Sequence, residues 1–136
     1  MEAVREWLAG DRTFHVMRDH PYHCNYAILG GMWGVKVNQD RPAIVSAFQS
    51  IFAANHLHNY NDDQIMLKKY VWPIAVENMV AHDSYCCESC PPSQPFPTQR
   101  KGGLFVGWRA VPSEKLQFPC PSQCRPVNRT SDWIFC

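Results

Sequence analysis

The segment Arg18-Asp19-His20-Pro21-Tyr22-His23 brings one guanidinium, one carboxylate and two imidazoles into six consecutive positions. At the end of a strand such a set suits the binding of hydroxyl groups, since α/β sheets place ligands at strand ends. The same composition also describes a solvated loop with an Arg–Asp pair. The paired-glycine run Gly30-Gly31-Met32-Trp33-Gly34 follows at once. Three glycines leave backbone unshielded by side chains, which permits close approach of a ligand or a tight bend. Further on, Asp62-Asp63-Gln64 opens a helical pattern, where the helix dipole favours carboxylates with or without a function. His82-Asp83 closes an apolar run and is suited to ligating a metal or orienting a substrate. No serine-hydrolase elbow, phosphate loop, dinucleotide glycine fingerprint or zinc-protease His pair occurs.

The elements that must carry these residues follow from periodicity. Val4, Trp7 and Leu8 share a helical face before Gly10, giving a short helix over 2–9. Residues 14–17 read as strand, and Pro21 turns 18–24 into a loop. Residues 26–29 and 33–37 read as strands on either side of the glycine turn. Ile44, Ala47, Phe48, Ile51 and Phe52 define an amphipathic helix begun near Pro42. The next helix starts at Asn61, with Asn61 as cap and Gln64 at the reciprocal capping-box position. Met66, Leu67, Tyr70 and Val71 form its apolar stripe, and Pro73 interrupts it. A short apolar segment then spans 74–81. Strands mixed with helices over the first 83 residues predict an α/β fold.

Beyond Ser84 the character changes. Eight of the eleven prolines lie after residue 90, and only 104–108 reads as strand, so the tail is loop-rich. It also holds most of the seven cysteines: Cys86, Cys87, Cys90, Cys120, Cys124 and Cys136, with Cys24 alone upstream. Three readings stay open: disulfides, a zinc site from Cys87-x2-Cys90 and Cys120-x3-Cys124, or free thiols. The sequon Asn128-Arg129-Thr130 beside these cysteines suits the secretory pathway, Golgi or extracellular, with the cytoplasm as the alternative. An odd count leaves at least one cysteine unpaired within the chain. At 136 residues the chain is long enough for a core of its own. A net charge of +1 supplies no field for nucleic acid or an anionic membrane, and no window approaches a membrane span.

Taken in order, FHVMRDHPYHCNYAILGGMWGVK, an amphipathic helix, DDQIMLKKYVWPIAVENMVAHDS and PFPTQRKGGLFVGW resemble the C-terminal half of glycosyltransferase-like proteins with a nucleotide-diphospho-sugar transferase (GT-A-like) fold. The likeness covers about residues 3–108, and a cysteine-containing irregular tail follows over 109–136. It implies sugar transfer from a nucleotide-sugar donor to a sugar or protein acceptor. In that picture Arg18, Asp19, His20, His23, Gly30, Gly31 and Trp33 line the sugar cleft. Asp63 and Gln64 face the reacting centre as catalytic residues, and His82 is a ligand of Mn²⁺. The family's Asp-x-Asp, which holds that ion against the donor diphosphate, does not occur in the chain. The resemblance therefore implies that the nucleotide-binding half is missing and that this stretch alone is inactive, with Mn²⁺ binding weak or absent. The reading from a different class is a non-enzymatic, disulfide-stapled secreted domain that binds a glycan or a protein.

Overall fold

A computed structural model describes residues 2–54, 59–88, 93–107, 116 and 118–136. Cys90, Trp108 and part of the expected tail, 109–115, fall outside them. The chain forms a small mixed α/β structure around a three-stranded sheet of order β2-β1-β3. The central strand β1, Phe14–Arg18, runs parallel to β3, Met79–Asp83, with Phe14 opposite Met79 and Arg18 opposite Asp83. It runs antiparallel to β2, Trp33–Val35, with Val16 opposite Trp33.

Because side chains alternate across a sheet, this register divides the residues of interest between two faces. Phe14, Val16 and Ala81 join Ile28, Ile44, Leu67, Val71 and Ala75 in the main core. Arg18 and Asp83 continue that face by register. His15, Met17 and His82 point the other way, toward helix α1, Glu2–Ala9, whose Trp7 stacks on His15 with ring centroids 5.3 Å apart.

The core face is covered by α2, Arg41–Ala53, and by a composite helix over 62–75. The expected stripe of α2 is buried at Ile44 and Ala47, but Phe52 is 77% exposed. The composite helix differs from expectation in two respects. Its α3 turn, Asp62–Met66, begins without a side-chain cap, because Asn61 adopts a left-handed φ of 76°. Pro73 does not end it either. A π-helical turn, Leu67–Val71, precedes α4, Trp72–Ala75, and carries the chain through the proline. Proline removes one N–H and crowds the preceding turn, which a wider turn accommodates.

Two expected strands are absent. Residues 26–29 join no ladder: Arg18 Nη1 donates to Ala27 O at 3.1 Å, and Leu29 O accepts from Met32 N in the glycine turn. Within 104–108, the described residues 104–107 form loop and turn, because Gly102, Gly103 and Gly107 all have positive φ and bend the segment away from extended geometry.

Disulfides replace the open alternatives for six cysteines. Cys24 pairs with Cys86, Cys87 with Cys124, and Cys120 with Cys136. The zinc reading falls away for Cys87, Cys120 and Cys124, since disulfide sulfurs are not thiolate ligands. Asp83, Cys87 and Cys124 lie close together for the same reason, and Asp83 is already paired with Arg18. The Cys24–Cys86 bridge spans 62 positions and pins the loop after β1 to the end of β3. A ring of that length is worth about 4 kcal/mol through the unfolded state. In the tail, Cys120, Trp133 and Cys136 form a small second core against Tyr85. Among the described residues no helix is long and apolar enough to cross a membrane.

Candidate functional site

The glycine turn and the Asp63-Gln64 helix start meet in space. A Cβ on Gly30 would lie 2.5 Å from Asp63 Oδ2 and 2.8 Å from the Gln64 amide, so that these side-chain ends would have to shift. Oriented to satisfy both ends, the Gln64 side chain donates to Ile28 O at 3.1 Å and accepts from Gly30 N at 2.7 Å. These bonds take the place of the missing strand ladder. Asp63 remains exposed, and a cavity of about 500 Å³ runs along Asn59–Gln64 beside it. On the other side of Gln64 a second cavity of about 500 Å³ is lined by Asn25, Tyr26, Ile28, Asn61, Ile65 and Lys68.

The charged loop is mostly consumed by the fold. Arg18 is fully buried and donates from Nε to Asp83 Oδ2 at 2.7 Å. Asp83 Oδ1 in turn accepts from the backbone N–H groups of Tyr85 and Cys86 at 2.9 and 2.7 Å. Asp19 is 6% exposed. It accepts from Ser84 Oγ at 2.6 Å, Arg100 Nη2 at 2.5 Å and Val106 N at 2.8 Å. Burial pushes its carboxyl upward, opposed by the Ser84 bond and the Arg100 charge. His23 Nδ1 accepts from Asp19 N at 3.1 Å, and burial, helped by His20, lowers the imidazole to about 4. His20 Nδ1 accepts from Tyr22 N, while its ring lies 4.8 Å from that of Phe105. Gly31 is exposed, and Trp33 packs on Phe48 in the core.

His82 stands on the α1 face, away from Asp63. Its Nδ1 lies 2.8 Å from His15 Nε2; its Nε2 lies 3.1 Å from Glu6 Oε2 and 2.8 Å from Gln94 Nε2. Burial lowers its pKa, against the pull of Glu6. Burial and the His82 ring lower His15 to about 4, so this buried pair is neutral near pH 7. Mn²⁺ prefers a mainly oxygen, octahedral shell. The residues at His82 do not fit such an ion, because both ring nitrogens are engaged and only one carboxylate, Glu6, adjoins them.

The structure thus gathers Gly30, Asp63 and Gln64, buries Arg18 and Asp19 as braces of the loop after β1, and places His82 elsewhere. Asn25, Tyr26, Asn61 and Lys68 line a cavity although the sequence marks none of them as a site residue. Asn61, Ile65 and Lys68 recur at i, i+4 and i+7, a helical-face signal that was available. Its partners at 25–28 come from a non-ladder segment that no period marks. No protein-family model, no curated protein and no solved structure matches the chain.

Proposed function

We propose that this chain is the sugar-handling part of a glycosyltransferase-like protein with a nucleotide-diphospho-sugar transferase (GT-A-like) fold. The observation that carries the reading is the contact of the glycine turn with the helix start. Gly30 admits Gln64 and Asp63 in positions from which even a Cβ would displace their side-chain ends, and the Asp63 carboxylate stands at the mouth of an open cavity. A carboxylate held there accepts hydrogen bonds from sugar hydroxyls and opposes positive charge developing at an anomeric carbon. Gln64 fixes the backbone of 28–30 rather than reaching for substrate, since both ends of its amide are bonded to that backbone. The chain carries no Asp-x-Asp to hold a diphosphate, and no step of this reading runs through a metal.

The partners that follow are a nucleotide-sugar donor and a sugar or protein acceptor. Three disulfides accord with an oxidising compartment, which makes the secretory pathway the proposed location. The same bridges favour a second reading, a non-enzymatic secreted domain that binds a glycan. Saturation-transfer NMR with UDP- and GDP-sugars separates the two. The transferase reading expects saturation of the donor sugar's protons, lost in Asp63→Asn. Equal saturation in wild type and Asp63→Asn removes Asp63 from the site, and no sugar contact at all ends the reading.

A further inference from the structure

The cavity on the far side of Gln64 is built from two elements. Asn25, Tyr26, Ala27 and Ile28 come from the end of the loop after β1, and Asn61, Gln64, Ile65 and Lys68 from one face of the composite helix. Its volume of about 500 Å³ exceeds that of a single hexose ring and falls in the range of small-ligand sites. Ile28 is buried, and with Ala27 and Ile65 it gives the cavity an apolar component, while Tyr26 is 42% exposed beside it. Among the described residues, the side chains of Asn25, Asn61 and Lys68 have no hydrogen-bond or ion-pair partner, and all three are exposed. Two free amides, an aromatic face and apolar ground are the groups that bind a pyranose, by hydroxyl bonds and by ring stacking.

Charge narrows the ligand. Lys68 is the one charged residue lining this cavity, whereas Asp62 and Asp63 line the neighbouring one. Gln64 lines both, and its bonds to Ile28 and Gly30 fix it between them. A carboxylate or other anionic substituent on a sugar ring would meet an ammonium with no competing carboxylate lining the cavity. We propose that this second cavity is a saccharide subsite selective for an anionic sugar, such as a uronic acid residue, with Lys68 binding the anionic group and Asn25 and Asn61 the hydroxyls. The inference rests on the sugar-handling reading only for its role in transfer; binding itself stands on this cavity alone.

The test titrates methyl glucuronide, methyl glucoside and sodium sulfate into ¹⁵N-labelled protein and follows backbone and side-chain amide shifts. Methyl glucuronide is expected to bind about ten-fold more tightly than the glucoside, the size of one charge-assisted contact. The shifts should centre on Asn25, Asn61 and Lys68, and the preference should weaken with salt. Lys68→Gln, at an exposed position, should erase the preference while leaving the glucoside unchanged, and Lys68→Arg should retain it. Equal binding of the two glycosides, or a preference that survives Lys68→Gln, overturns the proposal. Sulfate that competes as strongly as glucuronide reduces the site to an anion contact and overturns it as a saccharide site. In Asp63→Asn, glucuronide binding should persist. That separates failure of this subsite from failure of the donor-sugar site beside Asp63.

Discussion

Replacing Arg18 by Met tests whether the first charged residue of the loop braces the fold or waits for a ligand. Arg18 and Asp83 have no exposed side-chain surface, and Nε and Oδ2 are 2.7 Å apart. Breaking a buried pair by removing one partner costs about 3–5 kcal/mol, because the remaining charge stays buried. Here Asp83 keeps two backbone donors, from Tyr85 and Cys86, so the lower end of that range applies. Loss of the bond to Ala27 O adds about 1 kcal/mol. The expected total is about 4 kcal/mol, a large part of the 5–15 kcal/mol typical of a domain. Urea unfolding with the disulfides intact should show this as a fall in midpoint at unchanged slope. Adding Asp83→Asn to Arg18→Met should recover about 2 kcal/mol, since the amide oxygen still accepts the two N–H bonds without a stranded charge. A single Arg18→Met change within about 0.5 kcal/mol of wild type would refute the brace and return Arg18 to the list of sugar ligands.

Gly30→Ala should cost about 1–3 kcal/mol and abolish donor-sugar contact at Asp63. The new methyl meets Asp63 and Gln64, whose displacement breaks the bonds to Ile28 and Gly30; an alanine variant with unchanged amide shifts at 28–30 would contradict this. Acid should destabilise the protein through His15. Its folded pKa of about 4 lies below the ordinary 6.5, so the stability is full above pH 6.5 and is lost as pH falls toward 4, by up to about 3 kcal/mol. His82 shifts in the same direction. Urea midpoints that stay flat from pH 7.5 to 4.5 would show that the pair is not buried and neutral.

Much of the fold was legible because burial imposes a period. Residues 14–17 read as strand, α1 and α2 keep helical spacing, and the structure finds β1 and α1 within a residue of expectation and α2 starting beside Pro42. The errors fall where side chains replace backbone ladders. Residues 26–29 look like a strand by composition, yet Arg18 and Gln64 hold them as a loop. Asn61 looks like a cap, yet its left-handed backbone points the side chain elsewhere. Gly30 meets Asp63 and Gln64 although no local rule pairs residues more than thirty positions apart. His82 shows the opposite limit: parity in a strand decides its face, and the strand 79–83 was not separated from the apolar run before it.

The same parity explains why one loop carries so many titratable groups. Residues 27–30 have no strand partner; Leu29 O accepts from Met32 N, and side chains take the carbonyls of Ala27 and Ile28. Arg18 reaches Ala27 O from the sheet, and Gln64 reaches Ile28 O and Gly30 N from the helix. Arg18 is itself fixed by Asp83, and Asp83 by the turn that carries Cys86, bridged to Cys24 in the loop. Asp19 ties the loop to Ser84, Arg100 and Val106 in the same way. The buried charges thus form the frame, and the groups left facing solvent, Asp63 on one side of Gln64 and Lys68 on the other, are those free to act on a ligand. Arg18 in this arrangement is a positioning residue: its loss reaches the cavity lined by Ala27 and Ile28 through the bond to Ala27 O.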